Sequence, residues 1–250
     1  MMIKVGVVGS SGGMGAATCA AIEAADDLEL VARVGRGQEV VETLAAAGAQ
    51  VAVDFTHPDA VVETIKGCVE AGIHVVVGTS GLDGAGLGSI RGWLESTPRV
   101  GVVVAPNFSI GAVLMMKMAA QAAPYFESVE LVELHRASKP DAPSGTAART
   151  AELVAQARSD AGVPASPDAT THETTGARGA SVHGVRVHSV RLRGLLAHQE
   201  VLLGNEGEVL TIRHDSLDRS SFMPGVLLAV RAVTSRPGLT VGLEHLLDLA

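Results

Sequence analysis

The stretch Ile3-Lys4-Val5-Gly6-Val7-Val8-Gly9-Ser10-Ser11-Gly12-Gly13-Met14-Gly15 decides how the chain folds. An apolar run of strand length ends at Gly9, and Gly12, Gly13 and Gly15 lead into a helical pattern. A glycine at a strand end makes the tight turn. The helix that follows presents free N–H groups and the positive end of its dipole, a combination that suits a pyrophosphate. Strand, loop and helix in this order predict a dinucleotide site on Gly9, Ser10, Ser11, Gly12, Gly13, Met14 and Gly15. The same residues fit the spacing of a hydrolase nucleophile elbow, with Ser11 as the nucleophile. That elbow lies deep in its fold, after strands that supply an oxyanion loop, whereas a single strand precedes this one, so the nucleotide reading prevails.

Outward from this stretch, short apolar runs alternate with helical patterns as far as Phe108, the signature of βαβ units and a parallel sheet. The runs are Ile3 to Val8, Leu28 to Val34, Val51 to Phe55, His74 to Gly78 and Val100 to Ala105, several of them apolar on both faces, as strands covered by helices on both sides should be. Ala60 to Ala71 reads as a helix reached through Thr56, His57 and Pro58, where proline costs no hydrogen bond. After Asn107 the pattern changes to a helix from Ile110 to about Ala123, a strand from Val129 to Leu134, a polar loop to Gly145 and a helix from Ala147 to about Asp160. Ala161 to Gly184, rich in Gly, Pro and Thr, reads as a long loop. Strand-like runs at Val185 to Leu192, His198 to Leu203 and Glu208 to His214 follow as an antiparallel set, hence a different module. The helical stretch Phe222 to Thr234 is expected to pack back on the first module. The fold class is therefore α/β, a doubly wound parallel sheet on residues 1–106 and 217–250, with a second α+β domain on residues 107–216.

Composition narrows the function. The 250 residues are 47% hydrophobic, enough for one large core or two modest ones. With 27 acidic against 19 basic side chains and a net charge of −8, the chain lacks the footprint of a nucleic-acid binder, and four Phe, one Tyr and one Trp are too few to stack bases. Cys19 and Cys68 stand alone in apolar helical contexts and read as reduced thiols. No run approaches the ~18 apolar residues of a membrane span, and Val5 to Val8 is too short for a signal peptide, so the expectation is a cytoplasmic protein with no membrane partner.

Two places carry chemistry beyond the glycine loop. NAD sites place an acid at the end of the second strand for the ribose 2′-hydroxyl, but here the chain reads Arg33-Val34-Gly35-Arg36-Gly37. Two guanidiniums and no acid match a 2′-phosphate better, which points to NADPH or to dual use with NADH. The second place is Glu133 to Ala147, where His135 and Lys139, four apart, leave a strand and enter a loop that ends at a helix start with Ser144, Gly145 and Thr146. Cations and free helix N–H groups make a carboxylate site, and a histidine can deliver a proton near neutral pH.

The segment Pro140-Asp141-Ala142-Pro143-Ser144-Gly145-Thr146-Ala147 after a His and a Lys, the glycine loop, Asp54 to Pro58, Gly78 to Gly81, Ala105 to Gly111 and the stretch His214 to Val230 together resemble the dihydrodipicolinate reductase family, in order along nearly the whole chain. The resemblance implies a Rossmann-type nucleotide domain, a second domain with a mixed sheet that binds a small dicarboxylate substrate and builds a homotetramer, and NAD(P)H-dependent reduction of a cyclic imine in the diaminopimelate route to lysine. By matching position it gives Gly9 to Gly15 to the pyrophosphate, and Gly78, Thr79 and Ser80 with Ala105, Pro106, Asn107 and Phe108 to the nicotinamide side. It gives His135 and Lys139 to catalysis, and Gly145 and Thr146 to a substrate carboxylate, with Ser144 and Ser80 beside them. The chain departs from the family pattern at Gly13, where a basic residue is usual; near Gly35, where a ribose-reading acid would fall; at Ser80, which replaces a Thr; and at Arg136, which stands where the family has a second histidine. A guanidinium can replace that histidine on a carboxylate, or select a different substrate. A paralogue that reduces another cyclic imine or enone is thus one rival reading, and a nucleotide-sensing protein without turnover is another.

Overall fold

The computed structural model describes residues 2–79 and 81–247, and within it the chain forms two compact units, Met1–Ile110 with Arg219–Ala250, and Gly111–Asp218. The first unit begins with β1 (Ile3–Val8), α1 (Gly13–Glu23), β2 (Leu28–Val34), α2 (Val40–Ala46), β3 (Val51–Asp54), α3 (Pro58–Glu70), β4 (His74–Val77), α4 (Gly84–Ser96) and β5 (Gly101–Val104). All four residues of β3 and of β5 are buried, as the unbroken apolar runs require of strands covered on both faces. Helix α3 buries Val61, Thr64, Ile65, Cys68 and Val69, the one-sided stripe of a helix lying on a sheet. Pro58 occupies its first turn and His57 caps it, the side chain accepting from the Asp59 amide.

The second unit holds α5 (Ile110–Ala122), β6 (Ser128–His135), α6 (Gly145–Asp160), β7 (Ala180–Val182), β8 (Val185–Arg191), β9 (Ala197–Asn205) and β10 (Glu208–Ser216). Its five-stranded sheet has the order β10-β9-β6-β8-β7. The expected antiparallel set holds for β9 and β10, but β6 lies between β8 and β9, and β8 runs parallel to it. The alternation of β8, with Val185 and Val187 buried, tells which face is covered and nothing about which strand is the neighbour. Strand β7 falls inside the stretch expected as loop. It turns into β8 at His183 and Gly184, both at positive φ, the backbone that tight hairpin turns need. One face of the sheet packs on α6, where Ala147, Ala151 and Val154 meet Val129, Leu131, Val187, Val201 and Leu203.

The chain then returns to the first unit through a 3₁₀ turn (Arg219–Phe222), α7 (Met223–Val233) and β11 (Gly238–Val241). β11 adds a parallel edge strand beside β5, giving the six-stranded order β11-β5-β4-β3-β1-β2. The order reverses at β1, whose last residue, Val8, pairs with Val34 on one side and Asp54 on the other. Doubly wound sheets bind ligands at the carboxyl ends of the strands beside such a reversal. Among the described residues no helix is long and apolar enough to cross a membrane.

Candidate active site

In the first unit the glycine loop follows β1 at the sheet's reversal point. Gly9 adopts φ +80°, and its amide donates to the Val34 carbonyl. A Cβ there would lie 2.4 Å from the Phe55 carbonyl oxygen, and one at Gly15 would lie 2.1 Å from the Gly9 oxygen, so α1 approaches the loop as closely as backbone allows. Gly12 is the N-cap of α1 with no side-chain cap, which leaves that end to an outside acceptor. Ser10 is tied to the Val34 carbonyl through both its amide and its hydroxyl.

Asp54, fully buried at the end of β3, accepts on one oxygen from the Thr56 amide (3.0 Å), the Thr56 hydroxyl (2.8 Å) and the Thr79 hydroxyl (2.7 Å). Its other oxygen is buried and has no hydrogen-bond partner among the described residues. Gly78 sits against the edge of Phe55, which meets Phe108 edge to face at 5.7 Å between centroids. Ala105 donates to the Val77 carbonyl, bringing the segments after β4 and β5 side by side, and Asn107 accepts from the Ser109 amide. A backbone cradle that only glycine permits, an uncapped helix end, an orphaned buried oxygen and a paired-ring floor fit a dinucleotide. Ser80 lies outside the described residues.

The two arginines at the second strand part company. Arg33 pairs with Glu23 at the far end of α1, while Arg36 stands exposed in the turn after β2. A cation that sequence reasoning missed lies nearer the loop: the Arg219 guanidinium packs on Gly13, where a Cβ would come within 3.3 Å of it.

In the second unit the alternation of β6 buries Val129, Leu131 and Glu133 in one row, and His135 follows on the same face. Glu133 is therefore a fully buried carboxylate, and it is fully occupied. It accepts from His135 Nδ1 at 2.5 Å, from the Ser144 amide at 3.2 Å, and from both terminal nitrogens of Arg191 at 2.8 and 2.9 Å. Burial would push its carboxyl up, but hydrogen bonds from Arg191, Ser189 and His135 hold it below the usual glutamate range. The His135 imidazole is pushed down by burial. The Glu133 contact counters this only in part, and the charges of Lys139 and Arg191 add to it. With Nδ1 held by Glu133, Nε2 is the atom left for an outside group.

Lys139 forms an ion pair with Asp141 at 2.7 Å, while Arg136 is exposed and makes no ion pair among the described residues. Ser144 caps α6, its hydroxyl accepting from the Ala147 amide at 3.2 Å. Gly145 differs from the loop glycines: its backbone is not left-handed, and a Cβ there would meet nothing within 4 Å. Neither conformation nor packing within the chain asks for glycine at that position. Thr146 is held by its backbone, its carbonyl accepting from Thr150, whose hydroxyl in turn accepts from buried Gln199.

Glu133 joins His135 to Ser144 at the start of α6, Arg191 joins Glu133 to Asp141, the partner of Lys139, and Gly145 and Thr146 open that helix. Glu133 was missed although its signal was present, since two residues before His135 on a strand is the same face. Arg191 had no local signal and arrives only through the pairing of β8 with β6.

Comparison with known proteins identifies the family. The family models for the N-terminal and C-terminal parts of dihydrodipicolinate reductase match residues 3–108 and 111–247. The chain is 64% identical over 249 residues to the 4-hydroxy-tetrahydrodipicolinate reductase of Nocardia farcinica, covering 100% of both chains. It is 61% identical over 247 residues to that of Streptomyces avermitilis, covering 99% of this chain and 98% of the other. Among solved structures it matches a dipicolinate-bound dihydrodipicolinate reductase from Paenisporosarcina sp. TG-14 with TM-score 0.86 at 37% identity, over 99% of this chain and 100% of that one. A myo-inositol 2-dehydrogenase from Lactobacillus plantarum, at 11% identity and TM-score 0.63 over 98% of this chain and 93% of that one, shares the fold. With family models matching both parts of the chain and relatives aligned along its whole length, the chain belongs to the dihydrodipicolinate reductase family.

Proposed function

We propose that the chain is a 4-hydroxy-tetrahydrodipicolinate reductase that uses NADPH or NADH, the first unit holding the nucleotide and the second the cyclic dicarboxylate. The observation that carries this reading is the His135 imidazole, fixed by a buried carboxylate beside Lys139 and beside a helix start left bare by Gly145. When bound, the reduced nicotinamide supplies hydride to the conjugated imine. His135 Nε2 then gives a proton to the neighbouring carbon, which carries the electron pair. The Lys139 ammonium offsets the negative charge of the ligand, and the amides at Gly145 and Thr146 receive one carboxylate, which the α6 dipole favours. Arg136, exposed and without an ion pair among the described residues, is assigned to the other carboxylate, in the place of the family's second histidine. The test is oxidation of NADPH by the purified chain on dihydrodipicolinate. Nucleotide binding without turnover would overturn the assignment.

Two predictions separate ligand contacts from structure. Gly145→Ala should leave thermal stability unchanged, because its Cβ meets open space, and should raise the Michaelis constant for dihydrodipicolinate about tenfold by crowding the carboxylate. An unchanged constant would remove that helix start from the site. On the cofactor side, Arg36, unlike Arg33, makes no ion pair among the described residues, so Arg36→Ala should raise the Michaelis constant for NADPH more than that for NADH. Equal losses would assign the 2′-phosphate elsewhere.

We further infer a homotetramer in the cytoplasm. On the sheet face turned away from α6, Val190 and Val209 lie exposed at separate places among Glu130, His188, Glu200, Arg213 and Asp215, a mixed surface that a second copy can cover.

A further inference from the structure

Outside every motif in the sequence, Arg191 ends β8 and makes more side-chain bonds than any function assigned so far requires. Its terminal nitrogens grip both oxygens of Glu133 at 2.8 and 2.9 Å. The Nη2 group also donates to the Asp141 carbonyl at 2.6 Å, and Nη1 to the Val190 carbonyl at 2.8 Å. Its side chain is 19% exposed and Glu133 is not exposed at all, so little water screens the pair. Glu133 in turn holds His135, and Asp141 holds Lys139. One guanidinium is therefore bonded to both branches of the site.

We propose that Arg191 is a positioning residue of the reductase, coupling His135, through Glu133, to the Lys139 loop, through the Asp141 carbonyl. This rests on the function proposed above. A planar fork suits this role, because it spans two carboxylate oxygens and still reaches a carbonyl, which a lysine ammonium on a flexible stem cannot do with the same order. Glu133 Oε2 is shared between Arg191 Nη1 and His135 Nδ1, so the cation draws on the lone pairs that would otherwise bind the imidazolium proton. Arg191 thereby keeps His135 a ready proton donor rather than one trapped in an ion pair with a buried carboxylate. The charged and titratable groups around His135 are Glu133 on its own strand, Arg191 on β8, and Lys139 with Asp141 in the loop. On β9 it faces Ala197, and His198 beyond is engaged with Asp215. At the start of α6 stands the uncharged cap Ser144.

The test is an NMR titration of the His135 ring in the chain without substrate, beside turnover and thermal unfolding, for wild type, Arg191→Gln and Arg191→Lys. In Arg191→Gln the His135 titration should move to higher pH, because a repelling cation is gone and Arg191 no longer competes with the imidazolium for Glu133 Oε2. Turnover should fall roughly 10²-fold as the site loses its geometry, with nucleotide affinity unchanged. Arg191→Lys keeps the cation and guards against loss of folding. Its His135 titration should move less and in the same direction, with turnover still reduced. A folded Arg191→Gln whose His135 titrates as in the wild type, or an Arg191→Lys equal to wild type in both readouts, would overturn the coupling. A chain that shows the shift but never reduces dihydrodipicolinate would overturn the proposed reaction and leave the coupling standing.

Discussion

Replacing His135 by glutamine should lower turnover ~10²- to 10⁴-fold and leave the dissociation constant for NADPH unchanged. Glutamine keeps a hydrogen-bonding group near Glu133 but carries no proton that can be given up near neutral pH. The nucleotide cradle is built by residues of the first unit, so its affinity has no reason to follow. The pH dependence of the wild type gives a second reading of the same group. Burial lowers the proton affinity of His135, and Lys139 and Arg191 lower it further against the partial pull of Glu133. A general acid works only while protonated. For the free enzyme, kcat/KM should therefore be highest below this depressed value and fall as pH rises through it, earlier than an ordinary histidine would dictate. In His135→Gln that descent should disappear from whatever activity remains. Turnover within threefold of wild type, or an unchanged descent, would assign proton delivery to another group.

The parts of this molecule legible in its sequence are those fixed by local physics. The unbroken apolar runs of β3 and β5, the proline opening α3 and the glycines after β1 each impose a conformation on a few consecutive residues. What stayed hidden depends on partners far along the chain. β8 reads as one more antiparallel strand, and only its pairing with β6 brings Arg191, 58 residues away, onto Glu133. The hairpin at His183 and Gly184 was lost within a glycine-rich stretch because a non-glycine residue at positive φ leaves no compositional mark. Arg33 and Arg36 look equivalent at a strand end, and Glu23, at the end of the preceding helix, separates them. The Arg219 guanidinium reaches Gly13 only because the chain returns to the first unit, so the cation beside the loop is encoded 206 residues after it.

Gly15→Ala should weaken NADPH binding ~10- to 10³-fold while the chain still folds. The added Cβ would lie 2.1 Å from the Gly9 oxygen, 2.8 Å from the Gly9 carbonyl carbon and 2.9 Å from Ser10 Cα. All three are backbone atoms, so no side chain can swing aside, and the loop must move away from α1. Overpacking of this kind costs ~1–3 kcal/mol of stability. The larger effect falls on the ligand. Amides that face a phosphate contribute ~1.5–3 kcal/mol each, and a shifted loop misaligns at least one of them. Since each ~1.4 kcal/mol is tenfold in affinity, one lost contact accounts for the lower bound and two for the upper. Gly48→Ala supplies the control. Gly48 holds φ +68° with nothing within 4 Å of a Cβ, before the amino end of β3 and away from the loop. An alanine there carries the left-handed strain, ~1–2 kcal/mol, without touching the cradle. The two variants should unfold at similarly lowered temperatures, and calorimetry should find the nucleotide weakened in Gly15→Ala alone. If Gly15→Ala bound NADPH as tightly as Gly48→Ala, the close approach of α1 to Gly9 would be a packing device and the pyrophosphate would have to sit elsewhere.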